Sequence, residues 1–235
     1  VCVMSGNFLQ RGEPAIYDKW TRAEIAVRNG IDLVIELPFA YACNNAEYFA
    51  KGAVGILNGL GCVTDLAFGS ETGSKEQLFQ AARLLLDENP EFSTLMKKGL
   101  KTGYSYPRAR YDAYKKLKGP KAAEVLENPN NILGVEYIRH CLALNSAIEI
   151  LPVKRIGTGY SEIRAEGSIA SATAIRYMML EEKKTLASIA ALVPEPTFRT
   201  LELTSQMAPV SFEDFFRLFV YKIASSSNET LSEIL

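Results

Sequence analysis

Short apolar runs alternate with amphipathic stretches up to about residue 90, and few architectures accept that order. VCVM is apolar and β-favouring; YDKWTRAEIAVRNG then carries apolar residues at helical spacing and ends on Gly30, a residue suited to the left-handed position after a helix. IDLVIELPF reads as a buried strand and NAEYFAKGAVGILNGLG as a second helix closed by glycine. VTDLAFGSE is a third strand with Gly69 and Ser70 at its carboxyl end, and SKEQLFQAARLLLDENP takes Ser74 as its N-cap and stops before Pro90. Such alternation predicts an α/β fold around a mostly parallel sheet. The expectation is one sheet holding VCVM, DLVIEL, DLAFG and the later IEILPV, with ligands at the strands' carboxyl ends.

The alternation breaks at residues 91–121, which are helical in pattern, basic and rich in tyrosine, as an inserted lobe would be. After NPNNILGVEYIRHCLALNS, a capped helix, the chain returns to the sheet with AIEILPVKRIG. The loop GTGYSEIRAEGS leads into SATAIRYMMLEE, and everything beyond about Thr185 reads as helix only. This predicts an α/β domain over 1–184, with the insertion at about 91–121, followed by the start of a helical region over 185–235 that is truncated at its end.

Charge follows the same division. The chain carries a net −1, yet residues 97–121 hold nine basic residues and a single acid, Asp112, leaving 17 basic and 26 acidic residues elsewhere. A local excess of that size marks a candidate polyanion surface. Lys97, Lys98, Lys101, Arg108, Arg110, Lys115 and Lys116 interleave there with Tyr104, Tyr106, Tyr111 and Tyr114, a mixture suited to RNA phosphates and stacked bases. A solvated helical face with buried tyrosines fits the same residues.

Four scattered cysteines and a lone His140 give no metal-ligand spacing, so neither a zinc site nor a disulfide framework is expected. No apolar run reaches membrane-spanning length and the amino end has no signal-peptide pattern, so a soluble, cytoplasmic protein that engages no membrane is expected. The start at Val1 and the end within an amphipathic pattern read as those of a fragment open at both ends.

Several residues could carry chemistry. Ser171, Thr173 and Arg176 open a helix where hydroxyls, unpaired N–H groups and a cation one turn in would hold a phosphate. From the motif alone a common N-cap before an ordinary amphipathic helix with a solvated arginine is the more frequent arrangement. Lys154, Arg155 and Ile156 end a strand, and Gly69 ends another where a ligand could approach the backbone. Asn130 and Asn131 follow Pro129 and precede a helix: one is expected as its N-cap, or either could offer its amide to a purine edge. Ser5, Gly6 and Asn7, and the polar run from Gln10 to Lys19, fit an active-site loop or a plain connection.

In order along the chain, MSGNFLQRGEPAIYDKWTRAEIAVRNGIDLVIELPF, AFGSETG, NPNNILGVEYI, PVKRIGTGY and IASATAIRYMM resemble landmarks of the tRNA(Met) cytidine acetate ligase family, a group similar to nucleotidyltransferases. The resemblance implies a Rossmann-like nucleotidyltransferase fold. It also implies an enzyme that uses ATP, with Mg²⁺, and acetate to form an acetyl-adenylate and then acetylates the wobble cytidine of elongator tRNA(Met). By position it places Gly69, Asn130, Asn131, Arg155 and Ile156 on ATP and Ser171, Thr173 and Arg176 by its phosphates, with Arg155 and Arg176 as the catalytic cations. SATAIR resembles the I-S-x-T-x-I-R signature of those enzymes. The family's H-x-G-H-type motif is not in this sequence and would precede Val1, so the chain as it stands is expected to adenylate poorly. A nucleotide- or RNA-binding protein without turnover, or an adenylyltransferase acting on another small acceptor, are the competing expectations.

Overall fold

A computed structural model describes residues 1–87, 89–156, 170–204 and 206–234. Along the chain run β1 (Cys2–Ser5), α1 (Lys19–Arg28), β2 (Val34–Leu37), α2 (Phe39–Ala42), α3 (Ala46–Leu60), β3 (Asp65–Ser70), α4 (Lys75–Leu86), α5 (Pro90–Lys101), α6 (Tyr106–Lys118) and α7 (Pro120–Ala123). α8 (Pro129–Ala143), β4 (Glu149–Lys154), α9 (Ala172–Leu180), α10 (Glu195–Leu203), α11 (Phe216–Ser225) and α12 (Asn228–Ile234) follow. The α/β class, the helical interruption after α4 and the helical character of the described residues beyond Thr185 match the sequence expectation.

The strand pairing corrects it. The described strands form two separate two-stranded ladders, β1 with β2 and β3 with β4, both parallel, instead of one four-stranded sheet. Alternation identifies strands because period and turn chemistry are local, whereas the choice of partner is made by long-range packing. Here β3 pairs with β4 from Asp65↔Glu149 to Ser70↔Lys154, across all of α4–α8. The chain divides into two compact units, one of Ala40–Tyr160 with Val1 and the other of Cys2–Phe39 with Ser161–Leu235.

In the first unit, Val54 of α3, Leu78 of α4, Ile138 of α8 and Ile150 of β4 share one core with Met96 of α5 and Tyr114 of α6. The basic insertion is therefore a packed part of that unit, since each buried side chain of this size contributes about 1.5–3 kcal/mol. Gly134 sets how closely α8 approaches β3, because a Cβ there would strike the Phe68 ring. α5 starts on Pro90 behind the Asn89 N-cap, whose side chain accepts from Phe92 N at 2.9 Å. In the second unit, Tyr17, Ile189 and Leu201 are buried with Ile25 of α1 and Ile175 of α9 packed against them. Gly30, at φ +98, follows the Asn29 C-cap of α1, where only a residue without a Cβ enters the left-handed region without strain.

Candidate functional site

Three of the sequence landmarks meet in the first unit, at the carboxyl ends of β3 and β4 and the start of α8. The N-cap of α8 is Asn128, with Pro129 at the first helical position, so Asn130 and Asn131 lie inside the first turn and the expectation that one of them caps the helix is corrected. Their side chains do other work. Asn131 is buried, and its Oδ1 accepts from Ser70 Oγ at 2.7 Å, Glu71 N at 2.9 Å and Thr72 N at 3.2 Å, which fixes the loop leaving β3.

Glu71 returns the contact. Its carboxylate accepts from Asn130 Nδ2 at 2.7 Å and Asn130 N at 3.3 Å through one oxygen, and from Asn131 N at 2.9 Å through the other. The free N–H groups of a helix start, which would otherwise attract a phosphate, are thus taken by a carboxylate of the same unit. A purine-edge role for Asn130 has to compete with Glu71 for its amide. Sequence reasoning passed over Glu71; its position directly after Ser70 in AFGSETG was the available signal.

Gly69 and Arg155 lie together. Arg155 follows β4, its N–H donates to Ser70 O at 2.9 Å, and its side chain lies across Gly69, where a Cβ would come within 3.4 Å of Arg155 Cγ. Gly73, at φ +64, leaves no room for a Cβ beside Lys154. The two glycines let the loop after β3 and the end of β4 sit in contact, leaving Arg155 and Ile156 exposed at the strand ends. Residues 157–169, which include the loop GTGYSEIRAEGS, lie outside the described residues.

Ser171, Thr173 and Arg176 belong to the second unit. Ser171 caps α9 as expected, its Oγ accepting from Ala174 N at 3.0 Å, and Thr173 is exposed in the first turn. The Arg176 guanidinium is ion-paired through Nη1 with Glu13, while its Nε is buried and has no hydrogen-bond partner among the described residues. A buried donor in that state is costly unless something else supplies an acceptor. Arg22 stands near: it donates to the carbonyls of Ser5 (2.8 Å), Gly6 and Tyr17. Burial pushes its pKa down, Asp18 opposes that, and the like charge of Arg176 reinforces it. The loop after β1 is thereby held by one arginine beside another.

The basic lobe divides into an exposed and a buried part. Lys97, Lys98, Lys101, Tyr104, Tyr106, Arg108, Lys115 and Lys116 are exposed, and Lys98, Tyr104, Lys115 and Lys116 line an open cavity of about 570 Å³ on α5 and α6. Arg108 is paired with Asp112 at 2.8 Å and lies over the Tyr104 ring. Arg110 departs from the expectation: it is buried, with Nη1 2.8 Å from Glu136 Oε1 on α8, so it joins helices within the unit instead of presenting charge to a partner. Tyr114 is likewise core. Helical spacing explains both, since positions 110 and 114 share a face with Ala113 that turns inward.

Parallel strands joined through helices, with glycines and an arginine collected at the carboxyl ends of one ladder, define an α/β protein of the kind that takes ligands at its strand ends. The model of the HIGH nucleotidyl transferase family matches residues 1–235, and the chain belongs to that family. It is similar to the tRNA(Met) cytidine acetate ligase of Caldicellulosiruptor saccharolyticus, 48% identical over 94% of this chain and 54% of the relative. That of Clostridium acetobutylicum is 38% identical over 100% of this chain and 59% of the relative. Among solved structures, apo Thermotoga maritima TmcAL superimposes with a TM-score of 0.88 at 40% identity, covering 96% of this chain and 54% of that one. The crystal structure of the same protein bound with alpha-thio ATP gives 0.80 at 43% identity, covering 91% and 50%. The chain spans about half the length of the curated relatives it matches.

Proposed function

We propose that the full-length protein joins acetate to the exocyclic amine of the wobble cytidine of elongator tRNA(Met) at the expense of ATP. Acetate oxygen attacks the α-phosphorus and pyrophosphate leaves; the cytidine N4 then attacks the acetyl carbon, its C–O bond to AMP breaks, and the amine releases a proton. Gly69, Asn130, Asn131, Arg155 and Ile156 are the residues proposed for ATP and Ser171, Thr173 and Arg176 those proposed for its phosphates, with Arg155 and Arg176 stabilising the charge that develops there. Mg²⁺ accompanies the nucleotide: it is commonly held by substrate phosphates with one or two carboxylates, and the described residues bring no three ligating side chains together. The exposed lysines and tyrosines of the α5–α6 lobe receive the tRNA. The cytoplasm, where tRNA and ATP meet, is the proposed location; no described helix is long and apolar enough to cross a membrane.

The observation that carries the nucleotide part is Arg176, an arginine one turn into a helix capped by Ser171, with a buried Nε that lacks a partner among the described residues. A phosphate oxygen supplies the missing acceptor. The reaction is supported by relatives named for it, one of them 48% identical, and by a similar structure bound with alpha-thio ATP. Acetate-dependent ATP–pyrophosphate exchange by the full-length protein tests it, and exchange that ignores acetate would assign a different acceptor. Arg176→Ala should weaken ATP binding by about 1.5–3 kcal/mol, the scale of a charged hydrogen bond. An unchanged affinity removes Arg176 from the phosphate site.

A further inference from the structure

The second unit carries a polar group that the ATP residues do not use. Glu36 sits in β2, an otherwise apolar parallel strand, where a carboxylate is disfavoured unless it has a task. Its Oε2 meets Lys19 Nζ at 2.6 Å, and the two side chains remain 47% and 30% exposed. Its Oε1 lies against the backbone after β1, so close that a Cβ at Gly6 would collide with it. Asn7 fixes Lys19 from below, accepting from Lys19 N at 2.9 Å, and Arg22 ties down the carbonyls of Ser5 and Gly6. Next along α1, Trp20, the only tryptophan of the chain, is 74% exposed with the Lys19 ammonium 5.2 Å from its ring centroid. Beside the carboxyl ends of the parallel strands β1 and β2 an acceptor and a donor thus stand side by side, with a largely exposed aromatic ring adjoining.

We propose that Glu36 and Lys19 read the Watson–Crick edge of the acceptor cytosine while Trp20 provides its stacking surface, an assignment that rests on the RNA-acetylation reading above. Cytosine offers an N4 amine donor beside the N3 and O2 acceptors; Glu36 accepts from the amine and Lys19 donates to the ring acceptors. Uracil reverses the pattern at position 4, placing a carbonyl oxygen against the carboxylate. In the absence of RNA the two side chains satisfy each other, and an exposed pair of this kind is readily opened. A base unstacked from a single-stranded loop is the form in which such an edge is accessible, and an exposed aromatic is the usual platform for it.

The test is binding of two short stem-loop RNAs, identical except for cytosine or uracil at the acceptor position, to the full-length protein and its variants. Wild type should prefer the cytosine RNA by about 5- to 150-fold, the range of a good paired base contact. Glu36→Gln should bring that ratio close to one, because the carboxamide can turn its amine toward the uracil carbonyl. Lys19→Met should reduce the preference too, and Trp20→Ala should weaken both RNAs alike by about 5- to 150-fold. A lost ion pair that only held α1 to β2 would lower stability and leave the ratio untouched. If wild type discriminates and acetylates while Glu36→Gln keeps the preference, the base-reading assignment is overturned and the proposed function stands. If wild type neither binds the cytosine RNA nor acetylates it, both fall together.

Discussion

Arg110 offers the sharpest division between a structural cation and an RNA contact. Its guanidinium and the Glu136 carboxylate are 2.8 Å apart with side chains only 8% and 1% exposed. Arg110→Met leaves Glu136 facing Arg139 alone, whose Nη1 is 3.3 Å from Oε2. Removing one partner of a buried pair costs about 3–5 kcal/mol, and the remaining Arg139 contact places the expected loss at about 3 kcal/mol. Replacing both partners, as Arg110→Met with Glu136→Leu, should return stability to within about 1 kcal/mol of wild type, because no uncompensated charge is then buried. Burial already raises the Glu136 pKa, against the opposing charges of Arg139 and Arg110. A raised carboxyl pKa means that the folded state holds a proton the unfolded chain has released, so in the window above 4.5 acidification favours folding. The penalty in Arg110→Met should therefore shrink between pH 7 and pH 5. Urea unfolding at the two pH values measures it. A variant within about 0.5 kcal/mol of wild type at pH 7, coupled with a lower salt dependence of tRNA binding, would refute the buried-pair account and return Arg110 to the RNA surface.

Asn131→Ala removes a buried acceptor from three donors and should cost about 2–3 kcal/mol in urea unfolding, with ATP affinity falling as the loop after β3 loosens; unchanged values for both would mean that the loop holds without it. His140, whose Nε2 lies 3.1 Å from Glu47 O, has its pKa lowered by burial and by Arg139, with the Glu47 carbonyl opposing. The unfolded chain then binds a proton below about 6.5 that the folded state resists, so stability should drop as pH falls from 7.5 to 5.5; thermal melts of His140→Gln should show a flatter profile. Replacing Lys97, Lys98, Lys115 and Lys116 by Ala should flatten the salt slope of tRNA binding by about 0.7–0.9 for each phosphate no longer neutralised, and an unchanged slope in filter binding would exclude the lobe.

Local chemistry was legible in the sequence wherever it depended on neighbours along the chain. Ser74 and Ser171 cap the helices they precede, and Gly30 and Gly61 take the left-handed positions that end α1 and α3. Identity by motif was legible for the same reason, since AFGSETG, NPNNILG and PVKRIG are contiguous strings. The sequence did not reveal which of those strings hold one another. Nothing in the order of residues says that Glu71 spans to the first turn of α8, or that a tyrosine-flanked arginine in a basic run turns inward to a carboxylate 26 positions on. Charge density was a poor guide to exposure at Arg110 because its helix has an inward face as well as an outward one. Strand pairing failed on the same ground: β3 and β4 are recognisable singly, but their ladder is a decision of the core.

α8 explains why these long-range choices bear on function. Its first turn holds the loop after β3 through Asn130 and Asn131, and Gly134, Val135 and Ile138 pack it against β3 and the core. Glu136 and Arg139, on its other side, reach Arg110 of α6 and Glu47 of α3. One fifteen-residue helix therefore fixes both the strand-end loop where the nucleotide is proposed to bind and the helix pair proposed to meet the tRNA. A helix is stiff over that length, so a disturbance at Arg110 reaches Asn131 as a shift of the whole element instead of dissipating in side-chain motion. If so, Arg110→Met should weaken ATP binding as well as stability, and the double replacement that restores stability should restore the affinity with it. An ATP affinity indifferent to both variants would mean that the two ends of α8 act independently.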